Sequence, residues 1–314
     1  MWMTLLGLLA LAPAARADEE PLALLVSVKG NVEVTAASAT KAQRAQFGRP
    51  LMRGERVHVN AGGAATVFFN DGNVIELGEK STIVISGRTA PRRAAGSAMP
   101  AEVFHAVSKS LVAGSRETGL VALAPMRGGS ETESPLLESP RRTAVLGDRP
   151  AFAWRAVEGA SRYRVAVSDD RGELWRREVT DTTLGYPADA AELVRGAEVM
   201  WEVEAMGDQG PIRKEETSFS VATADEADLV RTQVGHIREA TEGSPKDVAA
   251  YLAGMYLAGH GVYGEAVEQL RELCALTPDS APAHEALGAA YRAMGLEDRA
   301  AAELEKAAAL TPKR

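Results

Sequence analysis

The feature that most constrains this chain is a self-similarity in its last ninety or so residues, which repeat at an offset of 34. Gly254 recurs as Gly288, Ala266 as Ala300, Leu270 as Leu304, and Ala275-Leu276-Thr277-Pro278 as Ala309-Leu310-Thr311-Pro312. A period of that length marks a helix-turn-helix unit that cannot bury its apolar face alone and stacks on its copy. Small residues at 254, 266, 288 and 300 let paired helices approach closely, and the prolines end each second helix. Two copies leave an apolar end open, which a further helix over about 224 to 241 is placed to cover.

The second copy, with Leu287-Gly288-x-x-Tyr291 and then Ala300, Leu304, Ala307 and Pro312, resembles the tetratricopeptide repeat. The first copy departs from it: Ala253 stands where Leu is usual, and Leu257 where an aromatic is usual. The resemblance implies a concave face formed by the first helix of each pair. Its groove positions fall at Tyr251 and Met255 in one copy and at Glu285 and Arg292 in the next. An aromatic, a flexible thioether and a charged pair suit an extended peptide. The bland alternative is that so short an array only caps its neighbours.

Residues 26 to 85 read differently, as short Val- and Ile-rich runs separated by Gly or Asn, the pattern of a compact all-β unit. Asp71-Gly72 predicts a two-residue hairpin loop pairing Asn70 with Asn73, Phe68 with Ile75 and Thr66 with Leu77, and placing Phe69 opposite Val74. Both faces of that hairpin are apolar, which predicts packing on two sides. Gly30, Val32, Val34, Leu51, Gly54, Val57, Gly62, Ala64, Asp71, Gly72, Leu77, Ser81, Ile83 and Ile85 together resemble the FecR-like domain of bacterial envelope proteins. Glu55 and Asn73 depart conservatively from the usual Asp and Ser.

From Arg149 onward apolar residues alternate with charged ones, as in Tyr163, Val165, Val167 and in Val199, Trp201, Val203, which indicates half-buried antiparallel strands. About six strands, with turns at Glu158-Gly159, Arg171-Gly172 and Gln209-Gly210, suit a sandwich. Pro150, Phe152, Trp154, Gly159, Ala160, Tyr163, Val165, Leu193 and Gly196 resemble fibronectin type III-like modules of bacterial surface proteins. Trp154, Trp175 and Trp201 are core candidates by their alternation; a sugar-stacking platform is the sharper alternative.

The expected organisation is therefore multidomain. A signal peptide spans 1–17 and an all-β FecR-like roll 22–87. A linker covers 88–146, with a short helix about 101–112 and one more strand at 119–124. An all-β sandwich fills 147–222, and an α-helical tetratricopeptide array 224–314. In the linker, Arg141-Arg142 reads as a pair of solvated charges. Residues 1–17 join an apolar core at Leu5 to Leu11 to Ala15-Arg16-Ala17, the form of a secretory leader cleaved after Ala17.

Net charge is −8, concentrated after residue 146, with no clustered Lys and Arg; this argues against nucleic acid. Gly259 to Gly264 satisfies G-x-G-x-x-G but follows no strand, so it is a turn between helices. The histidines at 58, 105, 236, 260 and 284 form no i,i+4 pair and indicate neither a zinc site nor a triad. Asp169-Asp170 lacks the spaced oxygen ligands of a calcium loop. Cys274, the one cysteine, reads as a small core residue.

These readings imply a non-enzymatic scaffold or adaptor, periplasmic or secreted, needing no cofactor. It would bind a protein or peptide partner through its repeats and an envelope component through its β-domains. A FecR-type signal-transduction regulator is an alternative that needs a spanning segment, which only a retained leader would supply. A glycan- or peptidoglycan-binding module is another, and it requires exposed aromatics. Sequencing the processed chain is expected to give Asp18 as the first residue in a soluble fraction; Met1 retained in the membrane pellet would show an anchor instead.

Overall fold

The structure is a computed structural model describing residues 21–71, 73–86, 104 and 135–311. The leader, the strand expected at 119–124 and all of the helix expected at 101–112 except Phe104 lie outside the described residues.

The first module holds β1 (Ala23–Lys29), β2 (Val32–Thr35), β3 (Gln43–Arg44), β4 (Pro50–Leu51), β5 (Arg56–Val59), β6 (Ala64–Phe69), β7 (Val74–Leu77) and β8 (Ser81–Val84). They form two four-stranded sheets, ordered β4-β1-β6-β7 and β3-β2-β5-β8. Between the sheets lies a core that includes Leu25, Val34, Leu51, Val57, Val67 and Phe69. Gly30 turns β1 into β2 at a φ of 67°, and a Cβ there would stand 2.6 Å from the Gly62 carbonyl oxygen, so only glycine fits. Glu55 is buried; it pairs with Arg49 at 2.9 Å and accepts from the Met52 N–H at 3.0 Å. Its carboxylate thus holds the turn before β5 closed.

The hairpin register differs from the expected one. β6 and β7 pair Phe68 with Val74, Val67 with Ile75, Thr66 with Glu76 and Ala65 with Leu77. The Asp71 carboxylate accepts from the Asn73 backbone N–H at 3.0 Å and from its side-chain amide at 2.9 Å. The Phe69 N–H donates to the Asn73 carbonyl at 2.8 Å. An acidic side chain folding back two residues stabilises a longer turn, and the ladder moves by one position. Phe68 and Val74 then share the outer face of the sheet, where both meet the helical core.

The second module is a sandwich. Its strands are β9 (Leu137–Ser139), β10 (Ala144–Val145), β11 (Ala151–Trp154), β12 (Arg162–Asp169), β13 (Gly172–Val179), β14 (Thr183–Gly185), β15 (Glu198–Gly207) and β16 (Gly210–Val221). A five-stranded sheet β10-β16-β15-β12-β13 faces a three-stranded sheet β14-β11-β9. The hairpin ends pair Asp169 with Gly172 and Gly207 with Gly210, so each turn is centred one residue earlier than the sequence suggests. Asp169 accepts from the Arg171 N–H at 2.8 Å, which closes the first of these turns. Phe152, Trp154, Tyr163, Trp175, Trp201 and Phe219 pack together between the sheets.

Residues 136 to 146 belong to this sandwich and not to a linker. Arg141 in particular is 8% exposed, with Glu215 at 2.7 Å, so its guanidinium is an ion-paired interior group and not a solvated one.

Five helices follow among the described residues: α1 (Ala224–Ala240), α2 (Lys246–Gly259), α3 (Tyr263–Leu276), α4 (Ala281–Ala293) and α5 (Glu297–Leu310). Two residues separate α1 from β16. Thr223 accepts from the Glu226 N–H at 3.3 Å, and the Glu226 carboxylate takes the Thr223 N–H at 2.9 Å, a reciprocal cap. The helix covering the open end of the repeat is therefore tied directly to the last strand.

In each pair a glycine of the first helix lies on a leucine of the second. A Cβ at Gly254 would stand 2.9 Å from Leu270 Cγ, and one at Gly288 2.9 Å from Leu304 Cγ. Gly235, in the middle of α1, has nothing within 4 Å of such an atom. Opposite signs follow. Gly254→Ala is expected to cost about 1–3 kcal/mol by overpacking a buried leucine, whereas Gly235→Ala stabilises by about 0.5–1 kcal/mol. Denaturant midpoints of the two variants check this.

Candidate partner-binding site

α2 and α4 occupy equivalent places in the two repeats, so Tyr251 and Glu285, 34 residues apart, are equivalent positions. The structure treats them differently. Tyr251 is 2% exposed, and the Phe47 ring from the loop between β3 and β4 lies over it, centroids 4.2 Å apart at 57°. Burial raises its phenol far above the ordinary tyrosine range. Met255, one turn further along α2, is half-buried and packs against the same core.

That core is shared between modules. Leu24, Val26 and Phe68 from the outer face of the first sheet join Val234, Ile237, Leu252 and Tyr256 of the helices. Phe104, 3% exposed, stacks on Phe68 with centroids 6.4 Å apart. The β-module thus occupies the first repeat's share of the groove. Glu285 and Arg292 on α4 remain exposed, and neither forms an ion pair among the described residues. Enough protein surrounds Glu285 for desolvation to raise its carboxyl.

The sandwich grips the other side of the array through the turn inside each repeat. Thr143 donates to the Gly261 carbonyl at 3.1 Å and accepts from the Tyr263 N–H at 2.8 Å, the first amide of α3. Val262 offers α3 no capping side chain, so Thr143 supplies the missing cap from another module. In the second repeat Arg141 donates to the Met294 carbonyl at 2.9 Å. Arg155 pairs with Asp298 at 2.6 Å, while Glu138 takes both Arg155 and Arg299.

Of the four groove residues expected from the sequence, two are thus covered by the chain itself and two are open. Phe47, which covers Tyr251, carried no periodic signal, being a single aromatic in the loop between β3 and β4, and neither did Arg141 and Thr143, which hold the repeat turns. The three tryptophans of the sandwich are 1 to 6% exposed and form no platform. A shallow depression on the outer face of the five-stranded sheet is lined by Ala166, Ser168, Glu173, Arg176, Met200 and Glu202, and its Arg176 and Glu173 pair with each other at 2.5 Å.

No family model matches the chain, and no curated protein matches it. Among solved structures it is similar to "MamA MSR-1 C2", at 23% identity over 26% of this chain and 48% of that one, TM-score 0.24. It is also similar to the chicken CNTN1 FN1-FN3 domains, at 11% identity over 64% of this chain and 56% of that one, TM-score 0.21. The chain spans about half the length of these structures. At such scores the likenesses add no weight to a fold that its own elements already define. No helix among the described residues is long and apolar enough to cross a membrane.

Removing the Phe47 ring tests the covered half of the groove. In Phe47→Ala, one further tyrosine is expected to ionise in an alkaline titration of phenolate absorbance. The native chain holds that phenol neutral because burial penalises the phenolate.

Proposed function

We propose that the chain is a non-enzymatic adaptor of the bacterial cell envelope, periplasmic or secreted, whose tetratricopeptide-type helices present one open face to a partner polypeptide. The observation that carries this reading is the asymmetry between equivalent positions: Tyr251 is buried beneath Phe47 and Glu285 is exposed. A partner would meet α4, where Glu285 and Arg292 lie two turns apart on one helix, and an extended peptide carrying both charge signs suits them.

The FecR-like module turns its apolar sheet inward. For an envelope component it keeps the outer face of β3-β2-β5-β8, which carries Arg56, His58, Thr82 and Val84. The fibronectin-like sandwich acts as a brace for the repeats. Glycan binding through the sandwich loses its support, since its tryptophans are core residues.

Photo-crosslinking in cells tests the proposal. A photoreactive residue at 285 or 292 is expected to give one discrete protein adduct, absent when it stands at 251 or at exposed Leu276. With the photoreactive residue at 285, charge reversal by Arg292→Glu should cut that adduct about ten-fold or more, and with it at 292, Glu285→Lys should do the same. Equal labelling from position 276, or no adduct at 285 and 292, would remove α4 as the binding face.

A further inference from the structure

Three helices of the repeat each bring one metal-ligating side chain to a single point. Cys274 comes from α3, His284 from α4 and Glu303 from α5, and one ligand atom of each lies within 4.8 Å of the others. Spacing along one helix could not reveal this, because each ligand belongs to a different helix.

The contacts around the ligands are those a metal centre uses. His284 is 7% exposed, and its Nε2 lies 3.0 Å from the Pro278 carbonyl oxygen. A carbonyl only accepts, so Nε2 carries hydrogen and donates, which directs Nδ1 at Glu303 Oε2, 2.6 Å away. Two such lone-pair atoms stay together only with a cation between them, a proton or a metal ion. The other oxygen of Glu303 is held by Lys306 Nζ at 2.8 Å. A backbone carbonyl on the far ring nitrogen and a hydrogen bond on the far carboxylate oxygen are the outer contacts that orient histidine and carboxylate ligands.

Cys274 adds the third donor. It is half-buried and packs against the helical core. Burial, with a smaller contribution from Glu303, pushes its thiol above the ordinary range. Burial alone would raise the Glu303 carboxyl, but the hydrogen bonds from Lys306 and His284 hold it low.

We propose that Cys274, His284 and Glu303 bind a borderline-soft divalent cation, Zn²⁺ by its sulfur, nitrogen and oxygen donors, with a fourth tetrahedral position left for water. With bonds of about 2.0–2.1 Å, tetrahedral nitrogen and oxygen ligands stand roughly 3.3 Å apart, so Glu303 withdraws slightly to admit the ion. The bound cation would tie the second helix of one repeat to both helices of the next.

Because Cys274 is the only cysteine, its alkylation reports the site without ambiguity. The full chain is stripped with a chelator, and its modification by iodoacetamide at mildly alkaline pH is followed with and without Zn²⁺. Zn²⁺ is expected to slow the reaction about ten-fold or more in the native sequence and to lose that effect in His284→Gln and Glu303→Gln. Co²⁺ should give a thiolate charge-transfer absorption that Cys274→Ser abolishes. An unchanged rate without a Co²⁺ band overturns the proposal. So does equal protection in Glu303→Gln, since the thiol would then hold the ion without the carboxylate. Circular dichroism controls for folding, and if His284→Gln unfolds, the more exposed Glu303 carries the test through Glu303→Gln.

Discussion

α3 begins without a capping side chain of its own, and the hydroxyl that fills the place comes from Thr143, 120 residues earlier in the chain. A helix start left uncapped loses partners for its first amides, typically about 1 kcal/mol. Here that need is met across a module boundary, so the order of the first repeat depends on the sandwich being folded and in place. Arg141, two residues before Thr143, reaches the corresponding turn of the next repeat at Met294. One short stretch of backbone therefore fixes two successive turns, and with them the angle at which the array leaves the sandwich.

The first module is constrained from its other side. β1 is buried along its first four residues because alternate side chains enter two different cores, Ala23 and Leu25 within the module and Leu24 and Val26 against the helices. A strand of that kind cannot be left half-solvated without exposing a continuous apolar face. The β-module and the helices consequently share one core, and Phe47 follows from that docking. Part of the groove that an isolated repeat would offer to a ligand is filled from within.

Much of this architecture was legible in the residues, and the reason is periodicity. The 34-residue offset, the alternation around Tyr163 and Val199, and the two-sided hairpin each repeat a local pattern that a window of sequence can display. What was hidden depends on proximity created by folding. Arg141 sits in a Ser-, Glu- and Pro-rich stretch with the composition of a solvated segment, and only the return of β16 beside it supplies Glu215. The hairpin register turned on a single carboxylate folding back to Asn73. Cys274, His284 and Glu303 lie ten and nineteen residues apart on separate helices, with no spacing rule to join them.

The double grip at residues 141 to 144 also bears on how such a chain could lengthen. Ala144 donates to the Gly261 carbonyl at 2.9 Å, while the Arg142 side chain lies against Gly295. Neighbouring helices in such arrays stand about 8–10 Å apart. A unit duplicated between the two repeats would carry the Gly295 turn out of reach of Arg142 and Arg141 by at least one such step. Duplications following α5 would disturb neither contact. Growth of the array is thereby polarised, with the first two units fixed in number and new ones admissible only at the carboxyl end.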